Sequence, residues 1–393
     1  MKIYVIGKGI TAKAVKKKLK KIKGFSVSNK KNADIAVISH GIPLKEIKPI
    51  KIPIISEIEF AYRLMGRSGS KYRPQIIAVT GTNGKTTVTT LLAEILKSPA
   101  AGNIGNPLIS YVDSNNKSKY IVVEVSSYML ESSYDFKPYI SVILNITPDH
   151  LKRHKTMKKY IEEKSKIFRN QDDKNYLVYN GNDFIVKKIA KESRCCNVPF
   201  KYSKKIEKKY TKIKIPGKHN IENALAAYHA AKICKVKEKY IMNTINNFRG
   251  VEHRIEKVSV VNGITYINDS KATNPDSTVV ALKAMQKKVM LILGGEDKGV
   301  DLKEMINWIK KKAKKVILLG EAKRRFKKEL LKYKYNNIKE VNNMDEAVKC
   351  SQDIGKFGDI VLLSPACASF DQYNNFEERG RHFKKLVNLW KKK

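Results

Sequence analysis

Residues 75–96 constrain this chain more than any other stretch. Gln75-Ile76-Ile77-Ala78-Val79 is an apolar run, and Val88, Leu91, Leu92, Ile95 and Leu96 then recur at helical spacing. Between them lies Gly81-Thr82-Asn83-Gly84-Lys85-Thr86-Thr87. A strand, a glycine-rich turn and a helix in that order are the context in which a Gly-Lys-hydroxyl triplet holds nucleotide phosphate. Gly81 and Gly84 let the backbone turn tightly and aim N–H groups at an anion, and the helix start adds its partial positive charge. Lys85 is suited to the terminal phosphates and Thr86 to magnesium. Val79 stands where the general phosphate-loop pattern has its first glycine. The bland alternative is a glycine turn capping an ordinary helix.

Further apolar runs at Tyr120–Val125 and Ser141–Asn145 lack the alternation of a half-exposed strand. They indicate a parallel sheet covered by helices on both faces. The expected fold class is α/β in three domains. These are a small Rossmann-like unit (1–71), a central phosphate-loop ATPase domain with a parallel sheet (72–250) and a Rossmann-like C-terminal domain (251–393). A chain of 393 residues is too long for one core, which agrees with such a division. In the first unit, Ile3–Ile6 reads as a strand, Gly7-Lys8-Gly9-Ile10-Thr11-Ala12 as a turn, Ala14–Lys23 as a basic helix and Ile35–Ser39 as a second strand. The G-x-G-x-x-A turn is a weak dinucleotide signal, because no acidic residue follows at the ribose-holding position. Asn220–Lys232 reads as an alanine-rich helix.

In the third unit, strands at Ile264–Asn268, Val289–Leu293 and Ile360–Leu363 each run directly into a polar motif. The motifs are Asp269–Asn274, Gly294–Gly299 and Ser364–Ser369. Ligands of open α/β sheets gather at the carboxyl ends of strands, so the three are expected to face one cleft.

Lys and Arg outnumber Asp and Glu by 79 to 37, a net charge of +42. A nucleic-acid or anionic-membrane binder is one reading. The lysines are spread along the chain rather than gathered beside aromatics, and no common nucleic-acid motif appears, so a solvated basic surface is the favoured reading. No apolar run approaches bilayer length, and the N-terminal stretch reads as a strand rather than a signal peptide. The five cysteines show no metal-site spacing and suit a reducing cytoplasm.

Glu124 ends an all-apolar strand, and a buried carboxylate needs a partner, either a metal held with Thr86 or, on the bland reading, a helix N-terminus or a salt bridge. His150 follows another strand at the same sheet edge. Lys164 looks from periodicity like any surface lysine. Arg254 and Lys271 are candidate phosphate partners or, equally, salt-bridge residues.

Taken together, Gly81–Thr87, Asn268–Asn274 and Leu363–Gln372 resemble the Mur ligases, the ATP-dependent amide-forming enzymes of peptidoglycan precursor synthesis, over Gly7 to about Phe383. The last two segments point to the member that adds D-glutamate to UDP-N-acetylmuramoyl-L-alanine. The resemblance implies ATP and two magnesium ions as cofactors, the phosphates held by Gly81, Thr82, Asn83, Gly84, Lys85, Thr86 and Thr87. It implies Thr86, Glu124, His150 and a carbamylated Lys164 around metal, and Asn220, Arg254 and Asp269 at the nucleotide. Lys85, His150, Lys164 and Lys271 form its catalytic set. Its substrate residues are Ile10, Thr11 and Gly41 for the uridine diphosphate end, Asn103 and Ser126 for the muramoyl group, and Thr273, Lys298, Ser369, Phe370 and Phe376 for D-glutamate. A cytoplasmic monomer without specific nucleic-acid or membrane partners is implied. Two departures stand out: a short N-terminal unit, and Met129 where the family usually has glutamine. The rival readings are a folylpolyglutamate-type sister ligase, a basic nucleic-acid-stimulated ATPase and a homologue that has lost activity.

Overall fold

The computed structural model describes all residues except 48, 68–72, 114–117, 211–212, 216, 298 and 391–393. The chain divides into two compact units, Met1–Phe248 and Arg249–Lys393. The first unit carries two sheets and the second carries one.

The first sheet contains β1 (Lys2–Ile6), β2 (Ser26–Val27), β3 (Ile35–Ile38) and β4 (Ile54–Ser56), in the order β2-β1-β3-β4, all parallel. Its basic helix spans Ile10–Leu19, starting four residues earlier than its apolar spacing suggests, because extended Gly9 serves as the N-cap. Polar groups fasten this sheet to the next. Ser56 N donates to Ser132 O at 2.8 Å, and the fully buried Glu59 carboxylate accepts from the backbone amides of Tyr134, Asp135 and Phe136. A buried carboxylate bonded to three amides is satisfied without a metal.

The second sheet contains β5 (Gln75–Thr80), β6 (Ala100–Gly102), β7 (Tyr120–Glu124), β8 (Ile140–Ile143), β9 (Tyr176–Asn180) and β10 (Cys196–Phe200). All are parallel, in the order β10-β9-β8-β5-β7-β6. β7 and β8 are buried along their whole length, which is why they read as unbroken apolar runs. Central β5 feeds the helix Lys85–Leu96, and the helix Lys218–Ile233 packs against that one.

The third sheet contains β11 (Glu256–Val261), β12 (Ile264–Asn268), β13 (Val289–Gly294), β14 (Ala313–Leu319), β15 (Ile338–Glu340) and β16 (Ile360–Leu363). The order is β11-β12-β16-β13-β14-β15, antiparallel only at the β11–β12 hairpin. The last strand in sequence therefore lies in the middle of the sheet. Helices cover both faces, with Leu291, Leu293 and Leu362 in the core on one side and Met290, Ile292 and Leu363 on the other. No helix among the described residues is long and apolar enough to cross a membrane.

Candidate functional site

The turn after β5 is held in shape by its own lysine and by the loop after β8. Lys85 Nζ folds back to donate to Gly81 O at 3.0 Å and Thr82 O at 2.9 Å. Asn145 brackets Asn83, accepting from its amide at 2.8 Å and donating to its carbonyl at 3.1 Å. Thr82 N donates to Asn145 O, and Thr82 Oγ1 accepts from Thr147 N at 3.0 Å. Both glycines are required by geometry. Gly84 caps the helix at φ 88°, and a Cβ there would lie 2.3 Å from Asn223 Oδ1; a Cβ on Gly81, at φ 154°, would lie 3.0 Å from Leu144 Cβ. Thr86 and Thr87 are buried in the first helical turn. Asn220 lies on the neighbouring helix and accepts from Asn223 Nδ2 at 3.3 Å, so the structure brings it to the phosphate loop.

Glu124 ends β7 beside β5 and is only 2% exposed. Its Oε1 accepts from Asn103 Nδ2 at 2.9 Å, whereas its Oε2 is buried with no hydrogen-bond partner among the described residues. Neither a salt bridge nor an amide satisfies that oxygen, and an unpaired buried anion is costly. A hard cation would satisfy it, so the residues fit magnesium. No group of three or more His, Cys, Asp or Glu able to hold a metal occurs among the described residues.

Lys164 reverses the reading from periodicity. It is 1% exposed, donates to Gly81 O at 2.8 Å and lies 4.8 Å from the Tyr160 ring centroid. Burial, reinforced by the nearby Lys85 charge, holds its ammonium well below the ordinary lysine range, with Asp149 and Glu124 opposing. His150 adopts φ 56° and pairs with Asp149 at 3.2 Å. Burial lowers its pKa, Asp149 raises it, and Lys85 and Lys164 lower it further.

Several groups at this edge were not legible in the sequence. Tyr160 exchanges a hydrogen bond with Thr82 Oγ1 at 3.1 Å, and His154 hydrogen-bonds Ser127 Oγ at 2.9 Å. Ser126 caps the short helix Ser127–Leu130, and Met129 is buried in that turn. On the first sheet, Ile10 is 66% exposed at its helix start, and Thr11 and Gly41 also lie at the carboxyl edge. Ser39, read in the sequence only as a strand end, carries a buried hydroxyl with no hydrogen-bond partner among the described residues, 2.5 Å from where a Cβ on Gly7 would sit.

In the second unit the three polar motifs do converge. Ser364 Oγ donates to Asp269 Oδ2 at 2.7 Å, Gly294 N donates to Pro365 O, and Glu296 bridges to Ala368. Burial pushes Asp269 up to about 7, against hydrogen bonding from Ser364 and the charge of Arg254. Arg379, 1% exposed and missed in the sequence, ties two motifs together. It donates to Ser270 Oγ and O and to the carbonyls of Cys367 and Ala368 at 2.9–3.2 Å. Lys271 Nζ lies 5.8 Å from the Phe376 ring, Thr273 is half-buried, Ser369 is buried and Phe370 is 67% exposed. Lys298 lies outside the described residues.

The fold and this loop define a phosphate-loop α/β protein with parallel sheets. Family models agree, with the Mur ligase middle domain matching residues 79–211 and the Mur ligase glutamate ligase domain matching 253–367. A UDP-N-acetylmuramoylalanine–D-glutamate ligase of Thermoanaerobacter sp. is 40% identical over 95% of this chain and 90% of its own length. That of Elusimicrobium minutum is 43% identical over 89% and 82% respectively. Among solved structures, MurC of Thermotoga maritima matches with TM-score 0.61 at 18% identity over 99% of both chains, and MurF of Acinetobacter baumannii with 0.60 at 16% over 92% and 85%. The chain belongs to the Mur ligase family.

Proposed function

We propose that this chain is an ATP-dependent ligase joining the terminal carboxylate of UDP-N-acetylmuramoyl-L-alanine to the amine of D-glutamate. The observation that carries the reading is the unpartnered Oε2 of buried Glu124 beside the Lys85 loop, an arrangement suited to metal-bound phosphate. The relatives that carry the D-glutamate ligase name, at 40–43% identity, supply the acceptor and donor.

A carboxylate is a poor acylating group, so it is first phosphorylated by ATP. Its oxygen attacks the γ-phosphorus in line, forming an acyl phosphate and releasing ADP. The D-glutamate amine then adds to the activated carbonyl, and phosphate leaves from the tetrahedral intermediate. Such transfers are governed by positioning and charge neutralisation. Lys85 sits on the loop that would hold the phosphates, and Thr86 and Glu124 would hold a first magnesium and His150 a second. When bound, the metal neutralises phosphoryl oxygen charge. The neutral Lys164 amine can add to carbon dioxide, forming an N–C bond and losing a proton, which turns a buried cation into an anionic ligand. Asn220, Arg254 and Asp269 would face the nucleotide, and Lys271 the transferred phosphoryl group. Asn103 and Ser126 would meet the muramoyl group, Ile10, Thr11 and Gly41 the uridine diphosphate. Thr273, Lys298, Ser369, Phe370 and Phe376 would meet D-glutamate. The three sheets correspond in this reading to substrate, ATP and amino-acid domains at 1–71, 72–250 and 251–393. The protein would work as a cytoplasmic monomer without a specific nucleic-acid or membrane partner.

Phosphate release from ATP and magnesium tests this directly. Release that requires both UDP-N-acetylmuramoyl-L-alanine and D-glutamate, with L-glutamate inert, is expected. Release indifferent to both substrates but stimulated by nucleic acid would overturn it.

A further inference from the structure

Arg153 sits three residues beyond His150, in the single helical turn Leu151–His154, and nothing in the catalytic scheme uses it. Its side chain is only 12% exposed, and its partners come from segments following strands of both sheets of the first unit. Nη1 donates to His40 O at 3.0 Å and Nη2 to Ile42 O at 3.3 Å, gripping the loop after β3 on both sides of Gly41. Nε and Nη2 also form a fork on the Glu131 carboxylate at 2.9 and 2.6 Å. Glu131 is the C-cap of the short helix whose N-cap is Ser126. The guanidinium carbon stacks 4.0 Å from the Tyr128 ring centroid, and the Tyr128 ring lies 4.8 Å from that of His150. The loop it grips is electrostatically close to the metal-facing edge. Burial and Arg153 lower the His40 imidazole below its ordinary range, and Glu124 opposes them.

A planar fork with five donors can satisfy two carbonyls and a carboxylate together, which a lysine ammonium cannot do with the same geometry. The two carbonyls belong to the loop placed at the uridine diphosphate end, and the carboxylate belongs to the turn placed at the muramoyl group. We propose that Arg153 is a positioning residue which fixes the nucleotide-sugar loop His40–Ile42 in register with the Ser126 turn and the His150 edge. The chain thereby presents the two ends of one long acceptor at a set spacing. This rests on the ligase reading above. It also specifies which substrate feels the loss: the residues proposed above for the acceptor include those of both gripped segments, whereas those proposed for ATP and D-glutamate lie on neither.

The test compares Arg153→Lys and Arg153→Met with wild type, using phosphate release with each substrate varied in turn and calorimetric titration of UDP-N-acetylmuramoyl-L-alanine alone. The wild type must first show release dependent on both substrates; its absence there defeats the ligase reading itself. Given that activity, the expected result is about a tenfold or greater rise in KM and Kd for the nucleotide sugar in both variants. KM for ATP and for D-glutamate should stay within about twofold, as charge-assisted hydrogen bonds are lost only at the acceptor loop. A third variant, Glu131→Gln, weakens the fork without emptying its place and should raise the same KM by less. An unchanged nucleotide-sugar KM, a parallel rise for all three substrates, or a fall in kcat alone would overturn the proposal. Arg153→Lys retains charge and stem, so it decides the matter if Arg153→Met does not fold.

Discussion

Replacing Gly84 by alanine probes the phosphate loop through stability, independently of any ligand. Two costs follow from its geometry. An alanine at φ 88° carries about 1–2 kcal/mol of left-handed strain. The new Cβ would also stand 2.3 Å from Asn223 Oδ1, so that buried amide must swing away and give up its bond to Asn220 at 3.3 Å. Losing one such hydrogen bond costs about 1 kcal/mol. The sum is about 2–3 kcal/mol, which for a unit of this size lowers Tm by roughly 5–10 °C. Differential scanning calorimetry of Gly84→Ala, Asn223→Ala and the double variant separates the terms. In the Asn223→Ala background the strain remains together with a tight contact at 3.1 Å to Leu144 Cδ1, which a small shift of that side chain relieves, so the substitution should then cost about 1–2 kcal/mol. Gly41→Ala is the control, since a Cβ there meets nothing within 4 Å and φ is not positive; its Tm should hold within about 1 °C. Equal costs of Gly84→Ala in both backgrounds would refute the Asn223 collision, and no cost in either would refute the strain.

Glu124→Gln keeps an acceptor for Asn103 but removes the unpaired charge, so the metal-free protein should melt higher while phosphate release falls about 100-fold; a lower Tm would contradict the orphaned-carboxylate reading. If Lys164 takes up carbon dioxide, protein depleted of it should regain activity with bicarbonate and show a carbamate carbon signal with ¹³C-bicarbonate, both absent in Lys164→Arg. Because burial lowers this lysine's pKa, uptake should set in at lower pH than for an exposed lysine, and it should increase as pH rises, since only the neutral amine reacts. Asp269 stays protonated in the fold up to about pH 7, whereas its unfolded value is 3.8. The native state therefore binds the extra proton between those values, and this contribution to stability falls as pH rises from about 4 to 7 and levels beyond. Asp269→Asn should abolish that slope in the difference between variant and wild-type unfolding curves.

The strands were the most legible part of the sequence. β12 and β16 run over the residues expected of them, since buried parallel strands are bounded by abrupt polar motifs. The phosphate loop was legible for the same reason, its chemistry being confined to a few adjacent positions. Lys164 was not, because the buried stripe of its helix is Tyr160, Glu163 and Lys164. A stripe spaced i, i+3, i+4 but made of polar residues is invisible to a search for apolar periodicity. Arg153, His154, Glu131 and Arg379 were hidden differently. Each is an ordinary charged residue locally and gains its role from a partner 22 to 113 positions away in the case of Arg153, and up to 109 away for Arg379. The edge strand β11 escaped notice because its burial alternates only weakly, with a register shift between Lys257 and Ser259.

The place of β16 sets a timetable for synthesis. This strand leaves the ribosome after β13, β14 and β15, yet it separates β12 from β13 and supplies hydrogen bonds to both. Until residues 360–363 emerge, the growing chain holds two half-sheets, each with a long apolar edge and no neighbour to close it. Arg379 comes later still in the chain; it supplies donors to the carbonyls of Ser270 and Cys367 and adds a second to Ala368 O, which also accepts from Glu296 N at 3.0 Å. The second unit is thus a keystone structure, its sheet closed by a strand that follows its neighbours in the chain. Unpaired apolar edges of that kind are prone to pair with other chains until β16 fills the gap.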